Sequence, residues 1–336
     1  MAATLITGAT GFIGATLAKR LADRGELVHA LCRGAADAAP LVHDNIRVVR
    51  GDVRDPEAVE RAMGGCDRVF HLAGYARNWS RDRRAFQETN VGGLHAVLET
   101  ARRLPVRKVV FTSSALTLGP STGAPVDEST RRLARSFTAY ESSKLAAEEL
   151  ARQYARRGTP VTIVNPTRVF GPGLLTEGNS VTRMIQWYIG GRWRWLPAGG
   201  GQIGNWAFVD DVVRGHLLAM ENGRPGETYI LGGENASLKE FFDLVSTISG
   251  RRYRLFPIPY RAALTAALFE WIRAECSSHY PLVTPGWARC FAKDWACSSA
   301  KAMRELGYSV TPLGEGLRKT IEWLPGAREV MPCATR

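Results

Sequence analysis

ATLITGATGFIG, residues 3–14, is the stretch that decides the fold. Residues 2–6 read as a short apolar strand, 7–14 as a glycine-rich turn, and the helix that follows carries Leu17, Ala18 and Leu21 on its apolar side. Glycines at 8, 11 and 14 permit a tight strand-to-helix turn, close approach of backbone to a pyrophosphate and close packing of helix on sheet. The helix start offers unpaired N–H donors to the same anion. The motif has this meaning only directly after a first strand and opening a helix, which is where it stands.

Outward from that turn, apolar strand runs at 27–32, 46–49, 68–71, 108–112 and 161–164 are each separated from the next by a helix or a loop. The alternation predicts an α/β fold with a Rossmann-type, doubly wound parallel sheet. After Gly171 the pattern breaks into Gly-, Pro- and Trp-rich segments, then returns with a helix at 210–221 and a strand at 227–231. The expected organisation is a cofactor-binding domain over 1–170 and about 206–232, with a smaller, interleaved C-terminal substrate lobe from 171–205 and 233–336.

With 336 residues, 45% of them apolar, the chain can bury a sizeable core, and no disordered class fits. The formal charge of +12 comes largely from arginines spread along the sequence, without a lysine-rich tail or a nucleic-acid module. It reads as a solvated surface that attracts anionic ligands, with no nucleic-acid partner. Cysteines at 32, 66, 276, 290, 297 and 333 form no CxxC pair and no metal spacing, which points to a reduced, cytoplasmic setting without a metal. Met1 leading straight into the first strand reads as lacking a signal peptide. No run of about 18 apolar residues could span a bilayer, so no integral membrane segment is expected. The segment 260–272, YRAALTAALFEWI, reads as a lid or core helix, with a membrane-surface helix as the other reading. There is no internal repeat.

AYESSKLAAEEL, residues 139–150, reads as a helix that stacks Tyr140 and Lys144 on one face. A fixed cation beside a phenol favours its ionised form and makes the pair an acid/base device. The second strand ends Ala30-Leu31-Cys32-Arg33. It lacks the carboxylate that would bind a ribose 2′-hydroxyl, and its guanidinium suits a 2′-phosphate, so NADP(H) is expected over NAD(H). Asp52, with Val53, is placed to accept a hydrogen bond from the adenine amino group, and Leu72, Ala73 and Gly74 after His71 leave room for the cofactor. Ser113 and Ser114 close the fifth strand at the carboxyl edge, and alternation on a strand selects Ser114 for the cleft.

Taken together, TGATGFIG, GDVRD (51–55), HLAG (71–74), TSSA (112–115), YESSK (140–144), FVDDVVRGHLLAM (208–220) and ELGYSVTPLGEGLRKTIEW (305–323) make the chain resemble the extended short-chain dehydrogenase/reductases of the NAD-dependent epimerase/dehydratase group. ALCRG (30–34) and RPGETYILGGEN (224–235) place the resemblance in the dihydroflavonol 4-reductase-like and hopanoid-associated sugar epimerase-like branch. It implies that Tyr140 is the catalytic acid/base, that Lys144 lowers its pKa and holds the nicotinamide ribose, and that Ser114 orients the substrate carbonyl. The expected cofactor contacts are Gly8, Thr10, Gly11, Phe12, Ile13, Gly14, Arg33, Asp52, Val53, Leu72, Ala73, Gly74, Thr112, Tyr140, Lys144, Pro166 and Val169. It also implies a homodimer, with helices around 86–103 and 140–157 as a four-helix seam.

Dehydratases of the group carry an Asp-Glu pair directly after the catalytic hydroxyl, where this chain has Ala115 and Leu116, so elimination is not expected. Epimerases show Arg, then Asn three residues later, before VYGPG; here NPTRVFGPG holds Asn165 and Arg168. Trp79, Trp187, Trp193, Trp195 and Trp206 suit aromatic walls for a planar or lipophilic ketone. Tyr75, Arg77 and Asn78 belong to a cleft edge or a surface loop. The expected substrate contacts are Tyr75, Trp79, Ser114, Arg168 and Trp206. His71 reads as a satisfied structural histidine, and Asp210 and Asp211 as helix-capping acids. The leading function is an NADPH-dependent reductase, or the reverse alcohol dehydrogenase, acting on a carbonyl or alcohol of small to medium, rather apolar character. An NAD(P)-dependent sugar epimerase and a non-catalytic NADP-sensing protein are the alternatives.

Overall fold

The computed structural model describes residues 2–34, 36–277 and 279–324; Met1 and Cys333 lie outside them. Its strands are β1 Ala3–Thr7, β2 Val28–Cys32, β3 Ile46–Arg50, β4 Cys66–His71, β5 Lys108–Thr112, β6 Val161–Pro166, β7 Arg168–Phe170, β8 Trp195–Pro197, β9 Ile203–Phe208, β10 Thr228–Leu231, β11 Glu234–Ser237 and β12 Phe256–Ile258. Seven of them form one sheet in the order β10-β6-β5-β4-β1-β2-β3, with every pairing parallel. β1 and β2 are buried along their whole length, as a parallel sheet covered on both faces requires. Their near-continuous apolar sequence has that cause. The expected α/β doubly wound architecture is what the chain adopts.

The strand order reverses between β1 and β4, and in such sheets ligands bind outside the carboxyl ends at that point. One face of the sheet packs on helices Phe12–Asp23 and Val209–Asn222. The other packs on Pro56–Met63, Gly93–Arg103 and Ala139–Arg156. A third core gathers helices Ser180–Ile189, Leu238–Ser249 and Leu313–Trp323 around β9. β11, β9 and β7 form a small sheet there, and β12 pairs with β8.

Trp206 sits inside that third core at 1% exposure, its ring stacked 4.2 Å from Phe241 and its Nε1 donating to Ala236 O. It is a packing residue, not the open wall expected of it. The pair Asp210 and Asp211 does stand in the first turn of its helix, yet no side chain caps that helix. Asp210 pairs with Arg20 at 2.7 Å, while Asp211 accepts from Thr311 N at 2.6 Å and from Arg214 at 2.7 Å. Both acids therefore fasten distant segments rather than cap. The 86–103 helix is interrupted: Arg84–Gln87 runs through a π-helical turn, Glu88–Gly92, into Gly93–Arg103. No described helix is long and apolar enough to cross a membrane.

Candidate active site

The glycine turn and the HLAG segment meet at the switch point. Gly8 has φ +72°, and a Cβ on it would lie 2.6 Å from Ala73 N. A Cβ on Gly14 would come within 2.2 Å of Gly8 O, whereas one on Gly11 would meet only Gly8 O at 3.2 Å and otherwise face open space. Gly11 precedes a helix with no side-chain cap and no acidic residue in its first turn. This is a cradle that fits an anionic dinucleotide, with free N–H groups aimed into it. Among the sequence-assigned contacts, Phe12 is buried and Thr10 and Ile13 half-buried on the glycine turn, while Leu72 and Ala73 are half-buried opposite them.

Thr7 Oγ1 fastens the second segment, accepting from Ala73 N at 3.2 Å and lying 2.8 Å from His71 Nδ1. Burial, reinforced by the nearby Lys144 charge, pushes His71 down to about 3 and keeps it neutral. It is structural but only half satisfied: its Nε2 has no partner among the described residues. Arg33, one residue beyond β2, is exposed and makes no hydrogen bond or ion pair among the described residues. Asp52 is already gripped by Arg54, at 2.9 Å and 3.1 Å. Burial alone would raise the Asp52 carboxyl, but hydrogen bonds and charge from Arg54, with Arg33 nearby, hold it below the usual range. Val53 is buried and lets helix Gly93–Arg103 press close through Gly93, where a Cβ would lie 2.8 Å from Val53 Cγ1.

Tyr140 opens helix Ala139–Arg156, which is capped by Thr138, whose Oγ1 accepts from Glu141 N at 3.1 Å. Its phenol comes up beside the Ser114 side chain, two residues past the end of β5. Burial pushes Tyr140 up to about 12, against a smaller opposing effect of Ser114. Lys144, 4% exposed, donates from Nζ to Thr112 O at 2.8 Å and sits over the Phe111 ring. Burial pushes it down to about 8, opposed by the Glu148 charge. Lys144 is not among the groups acting on the Tyr140 phenol in this arrangement: its ammonium donates to the Thr112 carbonyl and fills the space a Cβ on Gly74 would take. Thr112 is itself held: its hydroxyl donates to His216 Nε2 at 2.9 Å, since His216 Nδ1 donates to Val212 O. Burial pushes His216 down to about 4, which keeps it neutral.

Three buried groups that the sequence reading passed over fix this arrangement. Glu141, fully buried, pairs with Arg132 and accepts from Phe137 N at 2.6 Å. Arg132 in turn donates to Leu116 O at 2.7 Å and Thr117 O at 3.0 Å, so one ion pair ties the Ser114 turn to the start of the Tyr140 helix. Glu148 binds the same turn from below, accepting from Thr117 Oγ1 at 2.7 Å and Asn165 Nδ2 at 3.0 Å, with Arg152 at 2.8 Å. Asn90, in the π-turn, accepts from Tyr75 N and donates to Ser143 Oγ, both at 2.7 Å. The legible signal was the charge spacing Glu141, Lys144, Glu148, which places all three on one helix face.

On the substrate side, the Arg168 guanidinium lies 5.1 Å from the Trp206 ring and 5.6 Å from Phe291, with no hydrogen bond or ion pair among the described residues. Burial pushes it down to about 10, against the neighbouring Cys290 and Cys297. Helix Pro285–Phe291 roofs the start of the Tyr140 helix, since a Cβ on Gly286 would lie 2.4 Å from Phe137 O. Tyr75 packs edge-on to Phe86 under Arg77, and Trp79 donates to Glu275 and meets Tyr280. Trp187 and Trp193 stack on each other, Trp193 against Phe242 of the lobe core, and Trp195 is 53% exposed. The expected wall of five tryptophans is therefore not assembled. An open cavity of about 770 Å³ between Phe137 and Asp294 is lined by none of Ser114, Tyr140, Lys144 and Arg168. Pro166 and Val169, both buried, close β6 and begin the run that carries Arg168.

Residues 4–232 match the model of the NAD dependent epimerase/dehydratase family. The chain belongs to that family. It is 31% identical to a Synechocystis protein provisionally named dihydroflavonol 4-reductase, over 95% of this chain and 93% of that one. It is 33% identical to sterol demethylase protein B of Methylococcus capsulatus, over 95% and 97%. It is 30% identical to the 4-hydroxy-2-methyl-3-oxo-4-farnesyl-3,4-dihydroquinoline-1-oxide ketoreductase of Stigmatella aurantiaca, over 91% of each. The crystal structure of gox2253 superposes with a TM-score of 0.80 at 32% identity, over 97% of this chain and 98% of that one.

This epimerase/dehydratase-family protein is an NAD(P)-dependent oxidoreductase of the short-chain dehydrogenase/reductase type. Ala115 is buried in the turn after Ser114, beside Leu116, so neither position there carries an acid or a base. Asn165 is consumed by the Glu148 network, and the cation of that segment, Arg168, is the group left unpaired.

Proposed function

We propose that this protein reduces a ketone of small to medium, rather apolar substrates with NADPH, using Tyr140 as the proton donor. The observation that carries the reading is that Ser114 and Tyr140 are brought together just past the end of β5, with no acid/base pair beside them. When bound, the nicotinamide supplies the hydride. Ser114 donates to the carbonyl oxygen and Tyr140 delivers its proton to the same oxygen as charge develops there. Burial keeps the phenol protonated at working pH, and the alkoxide that forms is a stronger base than the phenolate, so the proton transfer is downhill. Lys144, anchored on Thr112 O, faces the ribose, and Arg33 receives the 2′-phosphate. Arg168, desolvated between two rings, orients the polar end of an otherwise apolar molecule. The relatives named for dihydroflavonol and farnesyl-quinoline ketones support this class of substrate.

The test is NADPH oxidation with a panel of cyclic and lipophilic ketones. Tyr140→Phe lowers kcat by roughly 10²–10⁴ while leaving the NADPH dissociation constant unchanged. Arg33→Ala raises KM for NADPH by about tenfold or more and leaves KM for NADH alone. Clear preference of the unaltered protein for NADH would sink the NADP assignment. Purification with tightly held cofactor and no net consumption would mark an epimerase instead.

A further inference from the structure

We infer that helix Tyr260–Cys276, with the aromatic ribbon that leads into it, docks this protein on an anionic lipid surface. The proposal stands independently of the substrate reading. The helix has 17 residues and buries only Ala267 and Ala274 fully. Leu268, Phe269 and Ile272, which point away from that seam, are 46%, 67% and 49% exposed. A helix of this length reaches about 25 Å, and it carries four charges that balance, Arg261, Glu270, Arg273 and Glu275, with Arg273 paired to Glu270 at 2.9 Å. It therefore lies on a bilayer by its apolar face rather than across one, and the attraction to anionic lipid comes from the ribbon beside it.

The ribbon is the second half of the device. β8 and β12 pair Trp195 directly with Phe256, both rings exposed, and Pro259 joins β12 to the helix at Tyr260. Exposed Arg192, Arg251, Arg252, Arg254 and Arg261, with half-buried Arg194, lie on these segments, and none has an ion-pair partner among the described residues. Aromatic rings beside unopposed guanidinium groups are the composition that partitions into an anionic headgroup layer. The same charge argues against a second copy as occupant, because a two-fold interface would set this cluster against itself. The docked helix rests on helix Pro285–Phe291, which roofs the Tyr140 helix, and its Glu275 accepts from Trp79. Contact with lipid is thereby placed next to the cleft mouth.

The experiment is co-sedimentation of the full chain with phosphatidylcholine vesicles, with and without phosphatidylglycerol. The protein is expected to pellet with the anionic vesicles and stay in solution with the neutral ones, with affinity falling roughly tenfold on a severalfold rise in salt. Arg251→Gln/Arg252→Gln/Arg254→Gln weakens binding, and Leu268→Asp/Phe269→Asp abolishes it, both with unchanged thermal unfolding. No pelleting, or equal pelleting with neutral vesicles, overturns the proposal. So does a concentration-dependent dimer that the Leu268→Asp/Phe269→Asp variant dissolves without any vesicle binding.

Discussion

Helices Ala139–Arg156 and Tyr260–Cys276 are almost equal in length, 18 and 17 residues, and each inverts the ordinary rule of burial in its own way. The first turns Glu141, Lys144 and Glu148 into the protein. The second turns Leu268, Phe269 and Ile272 out of it. A buried charge is tolerable only when it is paired and hydrogen-bonded, and the first helix draws its partners from Arg132, Arg152, Asn165, Thr117 and Thr112. Apart from Arg152, which lies on the helix itself, those partners come from four other segments, so satisfying the charges also fixes the geometry around Tyr140. An exposed apolar face has no partner to satisfy it within the chain.

The contrast breaks most sharply at the Arg132–Glu141 pair. Arg132→Met leaves Glu141 buried and unpaired and should cost about 3–5 kcal/mol of unfolding free energy in urea titration. Arg132→Met/Glu141→Leu should recover most of that stability while kcat stays depressed, because the Ser114 turn has still lost its tie to Leu116 O and Thr117 O. A single-variant cost below about 1 kcal/mol would show that the pair does not anchor the turn.

Lys144 gives a smaller effect with a defined sign. Its folded pKa near 8 lies below the ordinary 10.5. Below 8 the folded and unfolded chains both hold the proton, and the buried charge weighs against folding. Between 8 and 10.5 only the unfolded chain still holds it, so folding stability rises with pH through that window. Measured against Lys144→Met, which cancels the other alkaline titrations, the gain should be about 1–3 kcal/mol. A flat difference between the two proteins across that range would mean that burial does not depress Lys144.

Legibility in the sequence follows the same division. Gly8 and Gly14 were readable because their role is backbone contact, which only glycine permits. The strands were readable because both faces of a parallel sheet are covered, so β1, β2 and β5 are near-continuous apolar runs. Arg132–Glu141 and Arg54–Asp52 were not, since neither pairing follows a helix or strand period. The destination of the tryptophans was hidden because indole suits a core and a cleft equally; Trp206 went to the core, and Trp195 to solvent. Asn90 was missed because a π-turn has no hydrophobic period to announce it. Helix 260–276 was placed, but its outward face could not be chosen, because Ala263, Leu264, Ala267 and Trp271 are as apolar as Leu268, Phe269 and Ile272.

The smallest expected effect probes that face. Phe269→Asp should change unfolding free energy by no more than about 0.5 kcal/mol, because the ring already stands in water in the folded chain and loses little on replacement. Urea titration at low protein concentration checks this without any lipid or substrate. A loss above about 1.5 kcal/mol would mean that Phe269 is covered in solution, and a concentration-dependent loss would identify the cover as another copy of the chain. A neutral result isolates the helix as a surface that folding does not need. Its apolar residues must then be accounted for by what the folded protein meets, whereas the charges of Ala139–Arg156 are accounted for by what the folded protein holds in place.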